Sequence, residues 1–362
     1  MAISADVLQS ALQELMPSYS ELFVKWHPVL ERVLLKGNID KNVLTGPYRE
    51  FAVVSDGPGD VTQILTGSEI VNGGRNQNAS RGNTYAPRMI YAFDVPGKDL
   101  AEANGEQDLA RIIQHYPELA LSDFHERIAK QIVQGNGNNV GGFFSMNGAQ
   151  TYNPQGTART GAFEYIAPAS QTATVFNIAK STTTGWYNQF EEITAFGTNG
   201  RAQMRKCYYA CSRQQKTLGP VDLILGDEGS YLAYLDDLDS QVQIVTDKTT
   251  SGDRAPNNIR QGVKFLDADF YLEDSIDDLA GQFGSDGHSN HATGGVMYML
   301  NTSTWYAYTL GSDANKESKG DFSVRGPFRI PEQDLFRYEI VLNMGMHTNQ
   351  LRANGVVTGG AT

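Results

Sequence analysis

The chain has 362 residues, of which 40% are hydrophobic and 19% are charged, and its formal net charge is −12. This composition excludes a disordered chain and indicates a folded protein long enough for two packed regions. The negative charge disfavours tight binding to a phosphate backbone, and no apolar run approaches the roughly 20 residues that a membrane-spanning helix needs.

The N-terminal region, residues 1–49, contains two apolar stretches. The first begins after Ser4, a helix-capping residue type, and ends near Pro17. The second covers 21–35 and is closed by Gly37. We predict an arm without a core of its own. The region lacks the pattern of a secretion signal, and two cysteines are too few for a disulfide framework, so we expect folding in a reducing cytoplasm.

The next region reads as a long β-hairpin. Strands are predicted at 51–54 and 61–70, with a return strand at 84–95, and a polar, glycine-rich tip at 71–83 joins the last two. An isolated two-stranded hairpin is at best marginally stable in water. We therefore expect this one to lie on the rest of the protein or on a neighbouring copy.

The hairpin tip is locally basic, although the chain as a whole is acidic. Arg75, Arg81 and Arg88 occur between residues 71 and 93, where there is no acidic residue. These three arginines are candidates for a salt-sensitive contact between subunits. The alternative interpretation is an ordinary solvated loop.

A long helical pattern covers 104–135, with a restart or kink at Pro117 and a stop in the sequence GNGNN. Short strands are then predicted at 163–166 and 174–178. The region that follows alternates helix, strand and helix, and the later strands complete a chain of mixed helices and sheets. These later elements are a helix over 201–215, a strand over 221–225, a helix over 226–238, and strands within 264–274, 295–310 and 336–346.

Two motifs resemble binding sites only superficially. The glycine-rich run 135–141 has its third glycine one position late for a dinucleotide-binding turn, and it follows a predicted helix where a strand is required. Cys207 and Cys211 share a helix face but have no further Cys or His pair nearby, as a structural zinc site needs. We interpret both cysteines as small buried hydrophobic residues.

Two further groups carry possible metal ligands. Asp286, His288 and His291 lie in a polar loop rich in Gly, Ser and Asn, and a metal site there is the less favoured interpretation. The acidic runs 236–239 and 274–278 lack the ligand spacing of a calcium loop. No nucleophile motif occurs in a strand–turn–helix context. The sequence therefore predicts no catalytic, cofactor or metal site and favours a structural protein over an enzyme.

The order of elements resembles the major capsid proteins of tailed bacteriophages with the Hong Kong 97-like fold. Two segments carry the resemblance, residues 185–238 and 338–360. The resemblance implies an α+β fold with an N-terminal arm, an extended loop, a peripheral domain built on a long spine helix, and an axial domain. The expected boundaries are 1–49 for the arm, 50–98 for the extended loop, 99–199 for the peripheral domain, 200–325 for the axial domain, and 326–362 for the strand that returns to the peripheral domain.

The resemblance also implies a function. Copies of a major capsid protein form hexamers and pentamers of an icosahedral shell around double-stranded DNA, in virions assembled in the host cytoplasm. Implied partners are further copies, a portal protein, a separate scaffolding protein, and in some cases a decoration protein, with packaged DNA lining the inner face without specific binding. No lysine lies between residues 51 and 97, so we expect no covalent cross-link from the extended loop, unlike in some family members.

Two other functions stay open at this stage. One is the shell protein of a bacterial encapsulin-type nanocompartment, which has the same fold and encloses enzymes. The other is a β-rich hydrolase or carbohydrate-binding protein, suggested by Trp186, Trp305 and many tyrosines. Aromatic residues are more often part of a core than of a sugar platform, so this interpretation ranks last.

Overall fold

The computed structural model describes part of the chain with side chains. The described residues are 27–40, 49–54, 79–84, 88–98, 116, 119–124, 126–128, 132–133, 150–151, 159–160, 163–176, 178–181, 183, 185–213, 219–239, 263–273, 276, 295–309, 322–331 and 333–359. The helices are α1 (Pro28–Leu35), α2 (Arg201–Arg213) and α3 (Glu228–Asp239). The described residues between 116 and 133 are also helical, as the sequence predicted for the long helix.

The strands belong to two larger sheets and three short ribbons. In chain order they are β1 (Ile39–Asp40), β2 (Arg49–Val54), β3 (Ala79–Thr84), β4 (Arg88–Pro96), β5 (Gln150–Thr151), β6 (Arg159–Thr160), β7 (Thr174–Val175), β8 (Ile178–Ala179), β9 (Gln189–Glu192), β10 (Leu223–Gly226), β11 (Val263–Phe265), β12 (Ala268–Leu272), β13 (Val296–Leu300), β14 (Trp305–Thr309), β15 (Phe322–Arg329), β16 (Leu335–Thr348) and β17 (Gly355–Thr358).

The six-stranded sheet has the order β11-β12-β10-β13-β17-β9, and its central strands β10, β13 and β17 are buried on both faces. Because side chains alternate along a strand, β10 and β13 send Ile224 and Met299 to one face and Leu225 and Tyr298 to the other. The first face packs against α2 and α3, which therefore lie on the same side of the sheet. The second face belongs to the larger core shared with the other sheet.

The five-stranded sheet is built around β16, a strand of 14 residues. The first part of β16 pairs with both β4 and β15, and its last part pairs with β14. The ring of Tyr91 in β4 contacts the helical Phe124 in a tilted arrangement with centroids 5.8 Å apart, and the Tyr91 hydroxyl donates to Asp123 at 2.7 Å. The long helix thus covers one face of this sheet.

The N-terminal segment 27–40 packs on the main core, and the assignment of 1–49 as an arm stays a prediction. Val29, Leu30 and Val33 of α1 are fully buried, and β1 adds a parallel strand to β14. The three buried residues lie on one face of α1, as the 3.6-residue helical period predicts, and that face packs on the core. The first stretch of the predicted arm, 4–17, lies outside the described residues.

Three predicted strands differ in the structure. Residues 163–166 form no strand, and 174–178 is split into the β7–β8 ribbon by a turn at Phe176, whose φ of 52° lies in the left-handed region. The return strand of the long hairpin begins at Ala79, because β2 pairs with β3. Residues 88–96 form a strand within the range predicted for 84–95, but this strand pairs with β16 in the five-stranded sheet, so its predicted role as the return strand of the hairpin was wrong. The predicted strand at 61–70 lies outside the described residues.

The two sheets combine segments from different ranges of the expected division. β14, from the range 200–325, pairs with β16 in the sheet that also contains β4, whereas β17, from the range 326–362, pairs with β9 and β13. Each sheet is therefore assembled from segments that are distant in sequence. The division into five regions stays a prediction.

Candidate functional site

The described residues contain no group of three or more His, Cys, Asp or Glu side chains that could hold a metal ion. The loop with Asp286, His288 and His291 lies outside these residues. Within the same part of the chain, no helix is long and apolar enough to cross a membrane.

Cys207 and Cys211 are buried on the inner face of α2 and are free thiols. Burial and the hydrogen bond with Cys207 raise the pKa of the Cys211 thiol, which keeps it protonated. Both sulfurs lie directly over Gly355 of β17, where an added Cβ would stand 2.6 Å from the Cys207 Sγ and 2.9 Å from the Cys211 Sγ. The pair therefore fixes how closely α2 approaches the sheet.

A buried polar cluster surrounds Asn188. Lys180 donates to the Asn188 Oδ1 at 2.9 Å, and the Gln171 amide exchanges two hydrogen bonds with the Asn188 backbone, at 2.8 and 3.0 Å. The Glu164 carboxylate accepts from the backbone N–H groups of residues 172 and 173. These bonds satisfy the polar groups of a segment that has little regular secondary structure.

A second polar cluster joins the two sheets where β13 passes into β14 and β16 into β17. The Asn354 Oδ1 accepts from the Asn301 N–H and the Trp305 Nε1–H, both at 2.9 Å. Its Nδ2 donates to the Thr304 Oγ1 and the Gln350 carbonyl, both at 3.0 Å. All four hydrogen-bonding positions of this fully buried side chain are occupied, so the two sheets are held in one geometry.

Three basic side chains of the N-terminal segment meet three carboxylates on the six-stranded sheet and its turns. His27 lies 3.5 Å from Glu273, and Lys36 lies 3.7 Å from Asp222. Between them Arg32 forms an ion pair with Asp269, which joins α1 to β12. This charge matching orients α1 on the core in addition to its apolar face.

The predicted contact arginines lie in different places. Arg81 is in β3, its side chain is 85% exposed, and its guanidinium lies 3.7 Å from Glu50 across the hairpin. Arg88 opens β4 opposite Asn343 in the five-stranded sheet. Arg75 lies outside the described residues. The structure therefore does not bring Arg81 and Arg88 together in one strand pair, and a role for any of the three in subunit contact stays a prediction.

The root of the hairpin is anchored on the body of the protein. The Phe51 ring stacks on His347 with centroids 4.1 Å apart and meets Phe176 edge-on at 5.3 Å. Opposite Phe51 stands Gly82, where an added Cβ would approach the ring to 2.6 Å. Gly82 faces the Phe51 ring, and its neighbour Arg81 points away from that ring because neighbouring residues of a strand face opposite sides.

The helices α2 and α3 present the most regular charged surfaces among the described residues. The outward face of α2 carries Arg205, Tyr209 and Arg213, all exposed. Glu228 and Leu232 of α3 are likewise exposed, followed one turn later by Asp236. The sequence had singled out 236–239 only as a weak calcium candidate. Each face is recognisable in the sequence as two like charges that flank an apolar or aromatic residue, with successive members four residues apart.

The open face of the five-stranded sheet is a further exposed surface. Arg337 pairs with Asp94 through two hydrogen bonds of 2.8 and 2.9 Å, and the hydrogen bond lowers the pKa of the Asp94 carboxyl. Ile90 and Phe328 are about half exposed on strands flanking β16, at 51% and 48%. The arrangement offers contact surface and no group positioned for covalent chemistry.

Comparison with known proteins identifies the fold. No protein-family model and no curated protein sequence matches the chain. A chain in the cyanophage A-1(L) capsid asymmetric unit is similar with a TM-score of 0.55 and 12% identity, over 91% of this chain and 93% of that chain. A chain in the capsid of a native GTA particle follows with a TM-score of 0.49 and 9% identity, over 90% of each chain.

An encapsulin complex from Synechococcus elongatus PCC 7942 also contains a similar chain, with a TM-score of 0.44 and 7% identity, over 90% of this chain and 87% of that chain. The fold argument rests on the cyanophage capsid chain. This protein shares with it an architecture of mixed helices and sheets along nearly the whole of both chains.

Proposed function

We propose that this chain is the major capsid protein of a tailed bacteriophage. Its copies assemble into hexamers and pentamers, and these form the icosahedral shell that encloses a double-stranded DNA genome. The observation that carries the proposal is the likeness to the cyanophage A-1(L) capsid chain, which covers 91% of this chain and 93% of that one.

The charge of the chain supports a container for DNA. At a net charge of −12 the protein repels phosphate groups on average, so packaged DNA lines the inner face without specific binding. A shell with this property holds its genome by enclosure and lets it leave freely.

The Hong Kong 97-like division is part of the proposal. In this reading the long helix is the spine of the peripheral domain, the six-stranded sheet with α2 and α3 forms the main part of the axial domain, and the extended loop reaches a neighbouring subunit. Arg75, Arg81 and Arg88 then contribute salt-sensitive contacts between subunits. A separate scaffolding protein, a portal protein and in some cases a decoration protein complete the particle, which is assembled in the host cytoplasm.

The test is assembly of the purified chain, alone and with the scaffolding protein encoded near it. Sedimentation velocity and negative-stain electron microscopy should show closed particles of uniform size with five- and six-fold units. A compact monomer at high protein concentration under every condition would contradict the proposal. Particles isolated from the source should contain DNA, whereas a shell that contains an enzyme and no DNA would identify an encapsulin-type nanocompartment.

A further inference from the structure

The two helices on the six-stranded sheet carry opposite charge. The sequence of α2 contains four cations and no carboxylate, and that of α3 contains four carboxylates and no cation. Two of these charges are neutralised across the pair, because Arg201 at the start of α2 pairs with Asp237 near the end of α3. Lys206 of α2 pairs with Glu191 at 2.6 Å. Arg205 and Arg213 of α2 and Glu228 and Asp236 of α3 are exposed.

The basic stripe consists of Arg205, Tyr209 and Arg213. They are four residues apart, so they lie on one face of α2 about 6 Å apart along its axis. All three are exposed, and Tyr209 is 51% exposed. Neither arginine has an ion pair with another of the residues that the structure describes.

The acidic stripe consists of Glu228, Leu232 and Asp236. It has the same four-residue spacing on α3, and its members are the exposed residues of this helix among those with described side chains. Leu232 is 49% exposed. Each stripe is thus a large side chain flanked by two like charges, and the two stripes have opposite sign.

We propose that the basic stripe of one copy docks against the acidic stripe of a neighbouring copy. This inference rests on the proposed function and names a contact within it. Charge complementarity selects the pairing, because contact between two basic or two acidic stripes places like charges together. Where the two stripes of a copy contact two different neighbours, the contact is heterologous and joins copies head to tail, as closure of a ring requires.

A disulfide test detects the contact directly. Chains with Tyr209→Cys and chains with Leu232→Cys are co-assembled and oxidised, so that a disulfide between the two new thiols can form only between copies. The native cysteines are fully buried and do not compete. We expect covalent dimers on a non-reducing gel from the mixture and none from either variant alone. Ala92→Cys, at an exposed position of β4, replaces Tyr209→Cys in the matched control and should give no dimer.

The disulfide experiment distinguishes failure of the docking from failure of the proposed function. Assembled particles that yield no dimer from the mixture would overturn the docking while leaving the capsid assignment intact, and dimers from Tyr209→Cys alone would also overturn it. If no particles form even from the wild-type chain, the proposed function fails first.

A charge-reversal experiment gives independent evidence. Arg205→Glu with Arg213→Glu should lower the assembled fraction by about tenfold or more, since like charges then face each other. Glu228→Lys with Asp236→Lys should do the same, and the four changes together should restore assembly. Circular dichroism establishes that each variant is folded. Folded variants that assemble like the wild type, or a quadruple variant that stays unassembled, would contradict the docking.

Discussion

At the scale of single residues, Lys180 has an unusual environment for a cation. Its side chain is 6% exposed, and burial lowers its pKa from 10.5 to about 7, while attraction to Glu164 acts in the opposite direction. Between these pH values the unfolded chain binds a proton that the folded chain does not. Stability therefore rises with pH across this window, and the buried lysine costs the most stability below pH 7.

Lys180→Met should accordingly stabilise the protein near pH 6, by an amount on the order of a few kcal/mol. The Asn188 Oδ1 keeps a partner in the variant, because the Glu164 N–H also donates to it at 3.0 Å. Denaturant unfolding between pH 6 and pH 10 is the measurement. The unfolding free energy of the wild type should approach that of the variant as pH rises. A constant difference between the two free energies across this pH range would contradict the argument.

At Gly355 the structure has no room for an added methyl group. Gly355→Ala should destabilise the protein by about 1–3 kcal/mol, because its Cβ would stand within 3 Å of two buried sulfurs. Gly197→Ala is the matched control, since nothing lies within 4 Å of an added Cβ there. Thermal unfolding of both variants measures the difference. Adding Cys207→Ala and Cys211→Ala should recover part of the loss, and equal melting of the two glycine variants would show that α2 does not press on β17.

At the scale of elements, Asn354 is the side chain that ties the two sheets together. Asn354→Ala would leave the buried donors of Asn301 and Trp305 without their acceptor, at a cost of about 2–5 kcal/mol. Asn349→Ala removes the same chemical group from the same connection, where the amide makes only a 3.4 Å contact with Tyr306, and should cost less than about 1 kcal/mol. Equal unfolding free energies for the two variants would contradict the role of Asn354 in holding the two sheets together.

The hairpin root depends on Phe51. Phe51→Ala removes the ring that stacks on His347 and meets Phe176 edge-on, so the β2–β3 ribbon should open more often. Faster hydrogen exchange of the amides in β2 and β3, with little change elsewhere, is the expected result. Arg81→Ala, which removes only an exposed pair, should leave exchange at the wild-type rate. Equal exchange in both variants would mean that another contact anchors the ribbon.

The elements that the sequence predicted well are those defined by local patterns. The helix predicted at 201–215 is α2, and the strand predicted at 221–225 overlaps β10, because helical periodicity, the Gly219–Pro220 break and a short apolar run are all local signals. β3 has the polar sequence ASRGNT, which shows no apolar alternation. Its pairing with β2 could not be predicted from pattern alone.

At the scale of the whole molecule, long-range pairing limited the prediction. β1 pairs with β14, β4 with β16 and β9 with β17, and these partners are far apart in the sequence. The same limit explains why the partners of the N-terminal segment were not predicted, since α1 is held by carboxylates of the distant turns and strands around β10 and β12. The four-residue charge spacing of α2 and α3 is present in the sequence, but only the fold places both helices on one face of a sheet.

The central claim is that copies of this chain build a closed shell. The most direct measurement is a cryo-electron microscopy reconstruction of the particles formed by the purified chain. We predict an icosahedral shell of hexamers and pentamers in which each subunit has the two sheets described here. A homogeneous monomer that never assembles, or open aggregates without five- and six-fold units, would contradict the account.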